Sequence, residues 1–519
     1  MTAATSHAGG RSRFAVAALA LSAAAMLTAI AKLLASAALA LGWPFELDYG
    51  EGIVWQQMLN MVAGRGYAPL GVFPAIVYHY PPVYHLLTAA AAAVTGADAL
   101  VAGRLVSLVS GLASAALIGR LSVVAGGVTG RAALIGAGFA GLAFLGSPTV
   151  LFWSTLMRVD LLACALTLAG LCLTASSLAG RPRLGWAALA FALAVYTKQT
   201  AVLGPAAAFT VLWLARPRSA WTFLALSAGM GLAALAALTF ATDGEFLRHV
   251  LIYNVNRFDP DRWRMVAAFV LTQLFPLALA ALMVAAAWRR LRPIAWRELR
   301  ARLAAEPADA ALLLALAYLA LRIATLPLIL KSGSNFNYLI DLYAAACVFV
   351  GLGVRRVADA VVGGGPWPRP LVVALVLAGL PAHGLTSGVA NGSALHPALL
   401  ADRQELVERI RAADKPVIAD SMALIIRAGK PVLFESAITA ELSHAGLYDQ
   451  PALIRMVERR AFAFFVFDGG PGTPAFAGRY SPALAAAIAR AYPRTKIYGD
   501  LVVALPPAER GEIEVPPTF

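Results

Sequence analysis

Long apolar runs separated by short basic loops decide what this chain can fold into. Runs lie near residues 14–42, 100–120, 131–148, 159–178, 184–197, 201–215, 219–241, 265–287, 311–330, 338–354 and 370–390, giving eleven candidate spans. A helix needs about 20 apolar residues to cross a bilayer. Inside lipid its backbone must satisfy its own hydrogen bonds, so each run is expected to be helical. The chain has 519 residues, of which 60% are hydrophobic and only 13% charged, too few charges for a soluble surface of this length. The fold class is therefore a polytopic α-helical membrane protein of about eleven spans.

A formal net charge of +14 would fit nucleic acid in a soluble protein. Here the arginines sit in the short loops, as Arg289, Arg290, Arg292, Arg297, Arg300 and Arg302 do. That is the positive-inside pattern, so no nucleic-acid partner is expected. Alternation from this basic loop places Arg120/Arg131, Arg181/Arg183, Arg216/Arg218 and Arg355/Arg356 on the cytoplasmic side. Residues 1–13, with Arg11 and Arg13, become a cytoplasmic N-terminus ahead of an uncleaved first span. The predicted location is a plasma membrane of bacterial type. The three cysteines, Cys164, Cys172 and Cys347, all lie within apolar runs, without metal-ligand spacing or a disulfide framework.

The segment Pro82–Gly96 is apolar but only about 15 residues long, and it follows Tyr78-His79-Tyr80-Pro81. Counting it as a span would turn every later basic loop outward. It is read as an interfacial or re-entrant helix inside a first external loop of about 43–99, within a transmembrane domain of 14–390. From about 391 the composition changes. An amphipathic stretch, Asp402 to Ile410, is followed by strand-like runs at 416–419, 431–434, 462–467 and 501–505. Residues 391–519 are therefore expected to form an extracytoplasmic α/β domain.

The polar residues gather at one membrane face. Asp48 and Glu51 open the first external loop. His79, Tyr80, Tyr84 and His85 surround Pro81-Pro82, while Arg158 and Asp160 sit at a span boundary. Lys198 occupies a break in Tyr196-Thr197-Lys198-Gln199. Arg257 lies in a 242–264 loop read as a mobile cover for the site, and Asn335, Asn337 and Tyr338 precede a late span. Ionisable groups at such depth are costly, which makes each a candidate for function.

This inventory suits transfer from a phosphate-activated donor held in lipid. Cations such as Lys198, Arg158 and Arg257 would carry a departing phosphate. The histidines, tyrosines and asparagines would contact substrate. A carboxylate would take the proton from an acceptor hydroxyl, and Asp48 is the candidate base. Glu51, three residues on, would share a helical face with Asp48 and tune it. The competing structural account makes Asp48 and Glu51 the polar start of a helix near 52–64, favoured by its dipole. The pattern admits a divalent metal, Mg or Mn, on Asp48, Glu51 and Asp160, and does not require one.

These motifs in this order resemble the GT-C superfamily of integral-membrane glycosyltransferases, which includes the protein O-mannosyltransferases and the lipid A aminoarabinose transferases of family 39. The resemblance rests on the early acids Asp48 and Glu51, on Tyr80-Pro81-Pro82-Val83-Tyr84, on Arg158-x-Asp160, on Tyr196-Thr197-Lys198 and on Asn335-x-Asn337-Tyr338, and covers about 14–356. It implies an inverting transfer from a polyprenyl-phosphate sugar to a glycan, lipid or protein acceptor, with Asp48 as base and Asp160 as a second acid of the site. Spacing of the first-loop acids as Asp-x-x-Glu departs from relatives in which two acids adjoin. The rival classes are a lipid or sugar transporter or flippase, which would favour broken helices meeting at the midplane, and a non-catalytic cell-envelope assembly protein.

Overall fold

The computed structural model describes residues 3–71, 73–292, 295–386, 388–390 and 397–508. Two compact units emerge. The first comprises residues 1–42, 80–237 and 258–392, and the second comprises 43–79, 238–257 and 393–519. The expected boundary at 391 falls in residues 391–396, outside the described ones.

The first unit is a helical membrane bundle. Among the described residues, seven helices are long and apolar enough to cross a bilayer: Phe14–Gly42, Ala99–Gly126, Asp160–Leu178, Pro217–Ala241, Leu274–Leu291, Pro307–Leu330 and Phe336–Val362. Four other apolar runs appear as the shorter helices Arg131–Leu145, Leu184–Val195, Gln199–Ala215 and Pro370–Thr386. The protein is a polytopic α-helical membrane protein. Each of the eleven apolar runs contains helix, and seven of those helices reach spanning length. The Pro82–Gly96 run forms a helix only from Val83 to Thr95, ended by Gly96 at φ +68°.

Small residues let these helices approach one another. A Cβ on Gly119 would meet the Ala137 carbonyl oxygen at 2.8 Å, and one on Gly141 would meet the Ala115 carbonyl oxygen at 2.9 Å. A Cβ on Gly136 would strike the Gly351 carbonyl oxygen at 2.5 Å. The three helices carrying these glycines therefore pack backbone to backbone, which is how membrane helices associate when apolar burial alone gives little. The Ile340–Val362 helix is enclosed almost throughout, whereas Pro217–Ala241 is exposed over most of its surface. A buried pair, Arg322 with Asp341, links two helices of the core, and the Tyr318 hydroxyl donates to Asp341 at 3.2 Å. At the basic loop, Asp309 is held by Arg302 at 2.5 Å and by Arg290.

The second unit is built on a four-stranded sheet, β1 (Ile418–Ala419), β2 (Phe465–Asp468), β3 (Arg494–Tyr498) and β4 (Leu501–Leu505), in the order β1-β2-β4-β3. β1 and β2 are parallel, while β4 runs antiparallel to both β2 and β3. The 431–434 run contributes one parallel bridge, Phe434 with Ala75, in place of a strand. Leu70, Ala75 and Val77 share a hydrophobic core with Ile418, Phe465 and Phe467. That shared burial is why the loop near residue 70 belongs to the same unit as the C-terminal sheet.

The helix Tyr49–Val62 also lies in this unit and packs near the Met422–Arg427 helix. A Cβ on Gly52 would lie 2.9 Å from the Met422 Cβ and collide with the Glu46 carboxylate. Since the Met422 Cβ is fixed to backbone, Gly52→Ala should destabilise the protein by about 1–3 kcal/mol, the usual cost of overpacking. Thermal unfolding of the purified chain checks this, and an unchanged midpoint would contradict the packing.

Candidate active site

Three of the sequence motifs meet in the first unit. Asp160 is the first residue of the Asp160–Leu178 helix, where the dipole favours a carboxylate. Lys198 lies in the break after Leu184–Val195, and its Nζ is 2.6 Å from Asp160 Oδ1. The same oxygen accepts from the Asn337 amide at 2.8 Å. Asn337 sits in the short 3₁₀ turn Phe336–Leu339 that leads into the Ile340–Val362 helix. All three side chains are buried. Arg158 Nε is 3.9 Å from Asp160 Oδ2, a looser contact than that of Lys198. Two cations against one carboxylate leave these three charged side chains summing to a single positive charge.

Aromatic residues surround the cluster. Lys198 Nζ stands 4.9 Å above the Tyr338 ring, a cation–π contact. Tyr80 is an electrostatic neighbour of both Lys198 and Tyr338. The Val83 amide donates to the Tyr196 carbonyl at 3.0 Å, tying the Pro-Pro segment to the lysine turn. Tyr84 is fully buried; its hydroxyl donates to the Gly103 carbonyl at 2.8 Å and lies 3.0 Å from Ser107 Oγ. Ser107 Oγ in turn donates to the Arg158 carbonyl at 3.1 Å. Tyr84 thus supports the arginine turn from behind. His85, also buried, meets the Tyr84 ring edge-on at 6.3 Å. Asn335 accepts from the Phe336 amide at 2.8 Å and lines an apolar groove with Trp153 and Phe152.

The other candidates lie in the second unit. Asp48 is the N-cap of the Tyr49–Val62 helix, and its Oδ1 accepts from the Gly50 amide at 3.0 Å. Glu51 is completely buried, and its Oε2 accepts from the Leu47 amide at 2.7 Å, much as in a capping box. Asp48 is partly exposed. The two acids therefore differ, one partly open to solvent and one buried in the turn. His79 also falls in this unit. Arg257 forms an ion pair with Glu441 at 3.2 Å. The 242–264 loop contains the helical turns Glu245–Leu247, Arg248–Ile252 and Pro260–Arg262.

Sequence reasoning missed a polar cluster beside Asp48. Tyr49 donates to Glu435 and lies 3.2 Å from Ser436 Oγ, while the Arg479 guanidinium stacks 4.1 Å above its ring. Burial pushes the Tyr49 hydroxyl well above its usual range, which keeps it a donor. Asp420 accepts from Ser436 and Tyr480, each at 2.8 Å, from Arg479 at 3.0 Å and from the Asp468 amide at 3.1 Å. A signal for this cluster was present. Asp420 and Asp468 each end an apolar strand-like run, so they fall at the carboxyl ends of the two parallel strands, the edge where such sheets place polar groups.

The Glu46 carboxyl is enclosed beside Ser421, and that desolvation raises it well above the ordinary range. The folded chain then holds a proton that the unfolded chain gives up. Its stabilising contribution is complete below the ordinary carboxylate value and is lost as pH rises toward the folded value. Unfolding midpoints measured from about pH 4 to pH 8 should fall across that window and fall less in Glu46→Gln. Equal slopes for the two proteins would refute the burial.

Among the described residues, no three side chains of metal-ligand type converge. Asp160 is taken up by Lys198 and Asn337, and Asp48 and Glu51 each hold a backbone amide. This donor set does not suit a divalent ion, and no step below runs through one.

No family model matches the chain, and no curated protein matches it in sequence. Solved structures do. ArnT from Cupriavidus metallidurans bound to undecaprenyl phosphate matches with a TM-score of 0.57 at 14% identity, over 92% of this chain and 96% of that one. Its apo state matches with a TM-score of 0.55 at 15% identity, over 92% and 97%. The chain has the GT-C fold. The apo oligosaccharyltransferase of Archaeoglobus fulgidus matches with a TM-score of 0.50 at 12% identity, over 88% of this chain and 69% of that one. The GT-C likeness reaches beyond 14–356, where the sequence motifs lie, into the C-terminal stretch.

Proposed function

We propose that this protein is a membrane glycosyltransferase that moves a sugar from a polyprenyl-phosphate donor to an acceptor hydroxyl on the extracytoplasmic face. The observation that carries the proposal is the buried Asp160–Lys198–Asn337 cluster with Arg158 beside it. A cluster with net positive charge, set at helix ends in a membrane bundle, suits the phosphate of a lipid donor. The solved relative of the same fold holds undecaprenyl phosphate, which supports a donor of that class. Each residue then has a part. Lys198 and Arg158 bind the phosphate, and Asp160 with Asn337 fixes the lysine. Tyr80 and Tyr338 flank it. Asp48 takes the proton of the acceptor hydroxyl, and Glu51 holds the turn that carries Asp48.

In the step itself, the acceptor oxygen forms a bond to the anomeric carbon as the bond from that carbon to the phosphate oxygen breaks. The electron pair leaves with polyprenyl phosphate, whose new negative charge the cations stabilise. One displacement inverts the anomeric centre. The topology proposed places residues 1–13 in the cytoplasm and the sheet-bearing unit outside, in a membrane of bacterial type crossed about eleven times.

The test is transfer of radiolabelled sugar from a panel of polyprenyl-phosphate sugars to membrane-extract acceptors by the purified protein. Transfer that disappears in Asp48→Asn supports the enzyme and names the donor. A folded protein that binds no polyprenyl phosphate and transfers nothing overturns the proposal. Activity that survives prolonged chelation is the expected result for this donor set.

A further inference from the structure

The second unit carries a half-open cavity of about 290 Å³ that the proposed chemistry leaves unused. Phe73 of the first-loop stretch, Glu245, Arg248 and Tyr253 of the 238–257 stretch, and Tyr448 and Asp449 of the C-terminal stretch all line it. Three aromatic rings with two acids and one arginine are an uncommon lining for a structural void. Aromatic faces receive the C–H faces of a sugar ring, while carboxylates accept its hydroxyls. The volume lies at the small end for ligand pockets, which suits one or two sugar rings.

Glu245 supplies the specific sign of a ligand. Its side chain is only 9% exposed, and Oε1 is paired with Arg248 Nη1 at 2.9 Å. Its other oxygen, Oε2, is enclosed and has no hydrogen-bond partner among the described residues. An enclosed carboxylate oxygen without a donor is costly, and a small turn of the Glu245 side chain into the cavity it lines would bring that oxygen to a hydroxyl or amino group of a ligand. Tyr448, raised to about 12 by burial, keeps its proton and can donate. Glu245 neutralises Arg248, so the lining itself sets two acids against one arginine, with Arg455 4.0 Å from Asp449 outside it. That balance favours a neutral or amino sugar over a phosphate.

We infer that this cavity is a saccharide subsite for the acceptor, holding a neutral or amino sugar ring against Phe73, Tyr253 and Tyr448 with a donor group on Glu245; as an acceptor site it rests on the transferase reading above. The experiment uses the full chain in lipid nanodiscs, since sugar-headed detergents would compete. The probes are methyl glycosides and disaccharides of glucose, N-acetylglucosamine, glucosamine, mannose, galactose, rhamnose and arabinose, followed by saturation-transfer NMR.

At least one probe should bind, with affinity falling at least about tenfold in Glu245→Gln and in Tyr448→Ala. Lys198→Ala should bind the same probe normally. Unfolding midpoints near that of the unaltered protein keep loss of fold from imitating loss of binding. Failure of every probe, or binding indifferent to both cavity variants, overturns the subsite. The two proposals fail separately. Transfer activity without cavity-dependent binding sinks the subsite alone. Binding that depends on Glu245, in a protein inactive with every donor, leaves a saccharide site and sinks the transferase.

Discussion

Asp160→Asn and Lys198→Ala should each reduce donor turnover by at least about a hundredfold, and the double variant should lose little more than either one. A buried ion pair broken on one side leaves the other charge uncompensated, at a cost of about 3–5 kcal/mol. Here the pair is 2.6 Å long with both side chains almost fully enclosed. Asp160→Asn keeps a group able to accept from Asn337, so what it removes is the counter-charge that aims Lys198. On the proposed reading Lys198→Ala removes the phosphate contact, and it leaves Asp160 buried beside Arg158 at 3.9 Å. If the lysine acts on the donor and the aspartate acts through the lysine, their effects are strongly non-additive. Binding of polyprenyl phosphate, transfer rate and unfolding midpoint measured for all four proteins give the coupling. Effects that add within about 0.5 kcal/mol would mean that the two residues work independently, against the assigned roles.

The second large effect is expected at Asp48. Asparagine is as good an N-cap as aspartate, so Asp48→Asn should retain the bond to the Gly50 amide and leave the helix intact. It lacks the basicity needed to accept a proton. Loss of a general base lowers the rate by about 10²–10⁴. The expected signature is therefore a large fall in kcat with donor affinity and unfolding midpoint unchanged. Asp48→Ala should add a stability loss of about 1 kcal/mol from the missing cap. Full activity in Asp48→Asn would reduce the residue to a helix cap and remove it from the mechanism.

The membrane bundle was legible because lipid imposes a harsh rule. Apolar runs must become helices, and all eleven contain helix. Their lengths were less legible, because a run can be completed by a turn or a break, as at Tyr196–Lys198. Arg158, Asp160, Lys198 and Asn337 stood out because charged or amide groups at helix ends in a membrane need partners, and they found one another. Arg322 with Asp341 went unseen as a pair, since nothing in two separate apolar runs shows that they face each other. β3 was hidden because it opens on polar residues, Arg494-Thr495-Lys496, and is exposed from Thr495 to Ile497, which reads as a loop. The 431–434 run looked like a strand because it is apolar, yet it is buried in the core with a single bridge. The make-up of the second unit was the least legible part. Core packing of Leu70, Ala75 and Val77 with the C-terminal strands is set by contacts hundreds of residues apart, which local periodicity does not record.

The Tyr49 clamp places a delay in the life of the nascent chain. Tyr49 and its partner Glu435 are 386 residues apart. At about 5–20 residues per second, roughly 20–80 s pass between making the tyrosine and making the carboxylate that holds it. Through that interval the bundle can insert helix by helix while the turn bearing Asp48 waits without its anchor. A ribosome that stops between residue 392 and Glu435 has made the bundle residues but leaves the acidic turn without this anchor. The stretch that carries Glu435 thus secures a turn made well before it, and only once translation has reached that carboxylate.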